Sequence, residues 1–252
     1  MGNLYVGNSS GKAAVPKKIY AGNSSGVAAA VKVVYVGNSS GKAVEVWRTS
    51  TLPSTYQKVE YIYNTGRTQY IDTGLYPNIN TTAEVEVSLP SIYNDTEIFG
   101  SVNEASGDHY YRLCTHYGSG KSKFYYIFGG GNYDSDALDQ ALQANTKYKV
   151  IFNAPGGYFY VDDTLLHTST RTWTVSSCPT LTLFANHRDS HFDLSGDLYI
   201  YHFAAKQSNK YVRDMYPCYR KSDNVIGMYD LINSKFYPNA GTGIFYKGPD
   251  ID

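Results

Sequence analysis

Three copies of "GNSSG", at Gly7 to Gly11, Gly22 to Gly26 and Gly37 to Gly41, satisfy G-x-S-x-G, the spacing that presents a nucleophilic serine on a strained turn. That chemistry needs a strand before the serine, a packing helix after it, and a histidine and carboxylate brought to it. "LYV" before Gly7 suits a strand, but "KAAVPKKIYAG" after it carries Pro16 and reaches the next copy too soon for a helix. The copies recur every 15 residues, marked by Tyr5, Tyr20 and Tyr35. A hydrolase needs one catalytic serine, whereas a structural repeat needs one turn per unit. Ser9, Ser24 and Ser39 therefore read as turn residues between short β-segments, where Asn, Ser and Gly tolerate the geometry.

Four further stretches carry reactive side chains. In "AEVEVSL", Glu84 and Glu86 lie two apart on an expected strand and so share a face, with valines on the other. "HRDSHFD" alternates His187, Asp189, His191 and Asp193, which on one extended strand would line one side with metal-capable groups; between two strands it reads as an exposed loop. "NYDSDALDQALQ" imitates a calcium loop through Asn132, Asp134 and Asp136, yet Ala137 stands where glycine is required and Gln143 where the closing glutamate belongs. It reads instead as a short helix capped by Ser135 or Asp136, with Leu138, Ala141 and Leu142 on one face. "YGSGKS" echoes the end of a phosphate-binding loop, but Thr115 occupies the first glycine position, and a hairpin turn accounts for it. The expectation is no cofactor and no metal.

These residues must be positioned by an all-β body. The 252 residues include 26 tyrosines and 23 glycines, and few segments have the composition of long helices. Basic and acidic side chains balance at 22 each without long blocks of one sign, which argues against nucleic acid or an anionic membrane held by bulk charge. Cys114, Cys178 and Cys218 are too scattered for a disulfide framework or a zinc site. No apolar run reaches the ~20 residues of a membrane span, and no classical secretion signal opens the chain.

Residues 1–50 align as "LYVGNSSGKAAVPKK", "IYAGNSSGVAAAVKV" and "VYVGNSSGKAVEVWR". Each unit has too few apolar side chains to offset the entropy of ordering it, so it must stack on other repeats, other copies or a larger assembly. The segment reads as an anchor or oligomerisation device, with Tyr5, Tyr20, Tyr35 and Trp47 as its contacts. After the linker-like "RTSTLPSTYQ", residues 51–252 carry short strands with sandwich-like spacing, among them "AEVEVSL", "EIFGSV", "KFYYIFG" and "DLYIYHFAAK". "KYKVIFNAPGGYFYVDDTLLHTS" reads as consecutive hairpins turning at Pro155 to Gly157 and at Asp162 and Asp163. Binding through exposed tyrosines is expected in the loops "THYGSGK", "GGGNYD" and "NHRDSHF", giving Tyr117, Tyr133, Asp134, His187, Arg188, Asp189 and His191 as candidate ligand contacts.

"LPSTYQKVEYIYNTGRTQYIDTGLYPNINTTAEVEVSL", "LSGDLYIYHFAAKQSNKYVRDMYPCYR" and "GMYDLINSKFYPNAGTGIFYKG" together resemble the concanavalin A-like (laminin-G-like) jelly-roll domain of phage and prophage virion proteins. The "YVGNSSGKA" repeats resemble segments of phage tail and fibre proteins. The resemblance covers about residues 51–248. It implies a concanavalin A-like jelly-roll β-sandwich behind an N-terminal short β-repeat segment, on a non-enzymatic virion fibre or appendage protein. The repeats would attach it to capsid or tail proteins or trimerise it, and the sandwich would face a bacterial surface glycan. Glycosidases of this fold use E-x-D-x-x-E; here Glu86 and Leu89 fill the last two acidic positions, so the proton donor is missing. A capsid decoration or head fibre with no receptor role, and a glycan depolymerase, are the alternative readings.

Overall fold

The computed structural model describes the backbone of residues 6–7, 13–14, 19–22, 28–31, 33–37 and 43–48, and residues 51–92, 96–104, 109–118, 121–129, 134–169 and 178–251. The chain divides into two compact units, Met1–Thr51 and Leu52–Asp252. In the first, each 15-residue repeat is one antiparallel pair: β1 (Val6–Gly7) with β2 (Ala13–Ala14), β3 (Ile19–Gly22) with β4 (Ala28–Val31), and β5 (Val33–Gly37) with β6 (Ala43–Arg48). Among the described residues the three pairs are separate two-stranded sheets. Tyr20, Tyr35 and Trp47 lie on β3, β5 and β6, while Tyr5 falls outside the described residues.

The second unit opens with β7 (Tyr56–Lys58), β8 (Ile62–Asn64), β9 (Ile71–Asp72) and β10 (Thr81–Ser88). A meander follows through β11 (Glu97–Asn103), β12 (His109–Gly118), β13 (Lys121–Gly129) and β14 (Asp134–Ala141). Then come β15 (Tyr148–Asn153), β16 (Tyr158–Val161), β17 (Thr164–Thr168), β18 (Thr182–Leu183), β19 (Ala185–Arg188) and β20 (His191–Leu194). The chain ends through β21 (Leu198–Gln207), β22 (Lys210–Arg220), β23 (Ile226–Asp230), β24 (Lys235–Pro238) and β25 (Tyr246–Lys247).

Among the described residues these strands form two sheets. The larger runs β17-β16-β15-β10-β21-β22-β23-β24, with β7 also pairing β22 and β8 pairing both β21 and β25; the smaller runs β14-β13-β12-β11-β18-β9, with the β19–β20 hairpin also on β11. The chain crosses between sheets six times, so β15 and β21, distant in sequence, both flank β10. This is an all-β sandwich of jelly-roll type. Alternation explains the layering: on β10, Ala83, Val85 and Val87 are fully buried while Glu84 and Glu86 face out. Rings from both sheets meet between them, Tyr111 stacking on Phe152 at 4.5 Å and Phe99 meeting Phe203 at 6.3 Å. Cys114, Cys178 and Cys218 are buried and form no disulfide.

The helix expected at "SDALDQAL" is a strand, β14. Leu138 and Leu142 are four residues apart, a spacing that marks one face of a strand as well as of a helix. Both leucines are buried in the core, the register on β13 is irregular between Lys123 and Tyr125, and the Leu142 amide donates to the Ser122 carbonyl.

Candidate functional site

"HRDSHFD" is not one strand but a hairpin. β19 and β20 pair Asn186 with Asp193, His187 with Phe192 and Arg188 with His191, so the turn falls at Asp189 and Ser190. Adjacent rows alternate faces, which puts His191 and Asp193 on one side and His187 on the other. The exposed loop expected here is thereby corrected to two paired strands with a turn, and the alternative of one continuous strand lined by four metal-capable groups does not form, because a strand period cannot run through a turn. His187 Nδ1 lies 2.9 Å from the Thr180 carbonyl, and its ring stacks at 4.4 Å on Phe192, which stacks in turn on Tyr70 at 4.3 Å. Arg188 bridges Glu104 at 3.2 Å and Asp193 at 3.4 Å. Asp189 accepts the Glu104 amide at 2.8 Å, and His191 stands 3.6 Å from Asp193. Deeper on the same face, Glu97 and Arg112 form a bidentate pair. Burial raises the Glu97 pKa even though Arg112 opposes it.

The remaining loop candidates are dispersed. Asp134 opens β14, at the end of the smaller sheet that also carries the β19–β20 turn, but the strands between them separate the two by about 20 Å or more at ~4.8 Å per strand. Tyr117 sits in β12 at the opposite end of that sheet, and Tyr133 lies outside the described residues. Among the described residues no three His, Cys, Asp or Glu side chains form a metal-binding group.

The carboxylates on β10 are held by lysines. Lys147 meets Glu86 at 2.7 Å, and Lys149 approaches Glu84 at 3.7 Å and Asp163 at 3.3 Å. Burial lowers the Lys149 pKa, but the two carboxylates outweigh it and the net shift is upward. Leu89, at the position of the glycosidase acid, is fully buried in the core.

Aromatic groups instead converge on the outward face of the larger sheet. "EYIYN" and "DLYIYH" each place two tyrosines around an inward isoleucine, and the triplets pair antiparallel, Tyr63 against Tyr199 and Ile62 against Ile200. β25 adds Tyr246 beside Tyr63. Ring centroids lie at 5.0 Å for Tyr61–Tyr199 and Tyr63–Tyr199, and at 5.3 Å for Tyr61–Tyr201 and Tyr63–Tyr246. Tyr246 is 43% exposed and the other four are half-buried. A Cβ on Gly248 would fall 2.8 Å from the Tyr61 ring, so only glycine lets the C-terminal segment lie against it. Burial raises the pKa of Tyr61 and Tyr199, and neighbouring phenols add to the shift.

Polar groups border this stripe. Ser88 Oγ is 3.1 Å from the Tyr201 hydroxyl, and the Lys147 ammonium lies 5.0 Å over the Tyr201 ring while paired to Glu86. One step along the same face, His202 Nε2 meets Asp214 at 2.8 Å and its ring stands 4.5 Å from Tyr216. Lys58 lies over Tyr216 at 4.4 Å; burial lowers its pKa against the pull of Asp214 and Glu86. Sequence reasoning aimed at loops missed this face, for which the repeated Tyr-Ile-Tyr triplet was the available signal.

No protein-family model and no curated protein matches the chain. Among solved structures, it is similar to a native heptameric SAP-like pentraxin from Limulus polyphemus at 12% identity and TM-score 0.46, over 61% of this chain and 79% of that one. It is also similar to Trypanosoma rangeli sialidase in complex with sialic acid, at 13% identity and TM-score 0.37, over 77% of this chain and 33% of that one. The same sialidase with 2,3-difluorosialic acid gives 14% identity and TM-score 0.37. The match thus spans about a third of the sialidase chains.

Proposed function

We propose that this chain is a non-enzymatic virion fibre or appendage protein whose β-sandwich adheres to host-surface glycans and whose N-terminal hairpins attach or trimerise it. The observation that carries the adhesion reading is the outward stripe of five tyrosines bordered by Glu86, Ser88 and Lys147. Tyrosine offers stiff apolar area with a polar rim, which suits the C–H faces and hydroxyls of a sugar. The lysine pairs on Glu84 and Glu86 and the core position of Leu89 favour binding over hydrolysis. The hairpins support the assembly role, because an isolated two-stranded pair is marginal in water and gains stability by docking. Weak sites on one particle would then act together through effective concentration.

The test is binding of the assembled chain to a broad glycan array and to host cells, beside a Tyr63→Ala/Tyr199→Ala variant. Retention by the wild type and loss by the variant supports adhesion. Binding to no glycan rejects it, and turnover of a bound polysaccharide rejects the non-enzymatic assignment. Detection of the chain in purified virus particles checks its place on a virion.

A further inference from the structure

Resting on that adhesion reading, we infer that the tyrosine stripe takes an uncharged glycan segment and discriminates against uronic, sialic and sulfated sugars. Glu60 directly precedes Tyr61, its amide held by the Pro249 carbonyl at 2.9 Å, and the Asp197 amide donates to the Asn64 carbonyl at 3.1 Å beside Tyr63. Both acids therefore stand at the ends of the tyrosine triplets and oppose added negative charge on Tyr61 and Tyr199. Neither carboxylate is held in an ion pair among the described residues. At the other border Glu86 and Asp214 carry negative charge, and Lys147 is committed to Glu86 at 2.7 Å. Lys58 lies over the Tyr216 ring rather than at the stripe. An anionic sugar on Tyr61 and Tyr199 therefore meets the Glu60 and Asp197 carboxylates, while Lys147 is held by Glu86 and Lys58 by the Tyr216 ring.

A neutral sugar meets no such repulsion. Its C–H face lies on the rings, and its hydroxyls reach an acceptor at Glu86, a donor at Lys147, and hydroxyls that donate or accept at Ser88 and Tyr201. A second copy of this chain fits the surface less well. In a two-fold contact the same patch meets itself, which sets the like charges of Glu60 and Asp197 from both copies in one interface.

The experiment uses the full chain and matched oligosaccharides: glucose, galactose and mannose series, each beside its uronic-acid counterpart. The neutral member of at least one pair should bind about tenfold tighter or more than its acidic partner. The difference should shrink in high salt and in a Glu60→Gln/Asp197→Asn variant, in which asparagine tolerates the positive φ of 61° at residue 197. Equal or tighter binding of the uronic acids overturns this inference and leaves the adhesion reading standing. Binding of no member overturns both. If Tyr63→Ala breaks up an oligomer and no glycan binds, the stripe is a contact between copies and the inference is wrong.

Discussion

Tyr63 and Tyr199 face one another across adjacent antiparallel strands with ring centroids 5.0 Å apart, while Ile62 and Ile200 pair behind them in the core. The pair separates two roles along one short triplet: the isoleucines hold the sandwich and the tyrosines present a surface. Tyr63→Ala removes the cross-strand ring contacts to Tyr199 and Tyr246 and leaves the core intact, so stability should fall by only about 1–2 kcal/mol. Glycan affinity should fall about tenfold or more, as for a central aromatic contact. Tyr160→Ala, on the same sheet but three strands away across β15 and β10, should leave affinity unchanged. Thermal unfolding and titration calorimetry on the three proteins check both halves.

The hairpins predict a length-dependent mass. Val33 to Gly37 pairs with Ala43 to Arg48 and with no strand of a neighbouring repeat among the described residues, so each unit must find its stabilising surface elsewhere. The full chain should sediment as an oligomer, with a trimer expected. Residues 52–252, which carry their own core, should sediment as a monomer with unchanged thermal stability. A monomeric full chain whose first 50 residues resist hydrogen exchange would defeat the assembly role.

Gly100 shows how closely β19 is laid against β11. A Cβ at this position would stand 2.3 Å from Asn186 Oδ1 and 2.8 Å from its Cα, and Asn186 is fully buried. The backbone atom cannot swing aside, so Gly100→Ala must push β19 off the sheet. The expected cost is about 1–3 kcal/mol, or a fall in Tm of roughly 2–4 °C per kcal/mol for a domain of this size. Because the stripe lies on the other sheet, glycan affinity should be unchanged. A Tm equal to wild type would show that the two strands are not packed as described.

Sequence carried the local devices well. Glu84 and Glu86 alternate with buried Val85 and Val87 as their period requires, and Asp162 and Asp163 adopt φ values of 49° and 63°, as a tight hairpin turn demands. What it could not carry was set by register. The stripe depends on which strand Tyr199 meets, and on an irregularity between Glu86 and Val87 that lets Tyr201 and His202 share the outward face. β14 was illegible for a related reason, since Leu138 and Leu142 satisfy helix and strand periods alike. "HRDSHFD" reads as a loop from its polar residues alone, because the pairing of β19 to β11 and to β20 that makes it a hairpin depends on residues distant in sequence.

The thiols give a pH dependence with a defined sign. Burial pushes the Cys178 pKa up to about 11, against hydrogen bonds from Ser101 and Asn103, and pushes Cys218 up to about 12. An unfolded thiol ionises near 9.0, so the unfolded state releases these protons first as pH rises. Their contribution to stability is therefore complete below pH 9 and is lost as pH climbs through 11 and 12. The urea midpoint should hold steady between pH 7 and 8.5 and decline by pH 10.5. A Cys178→Ala/Cys218→Ala variant should start lower, because it leaves cavities, but decline less steeply. At pH 8 a thiol-reactive disulfide reagent should label the native chain only as fast as it unfolds, since Cys114, Cys178 and Cys218 are all buried. Prompt labelling of Cys218 in native buffer would place that side chain at the surface and refute the packing of β22 against β7 and β23.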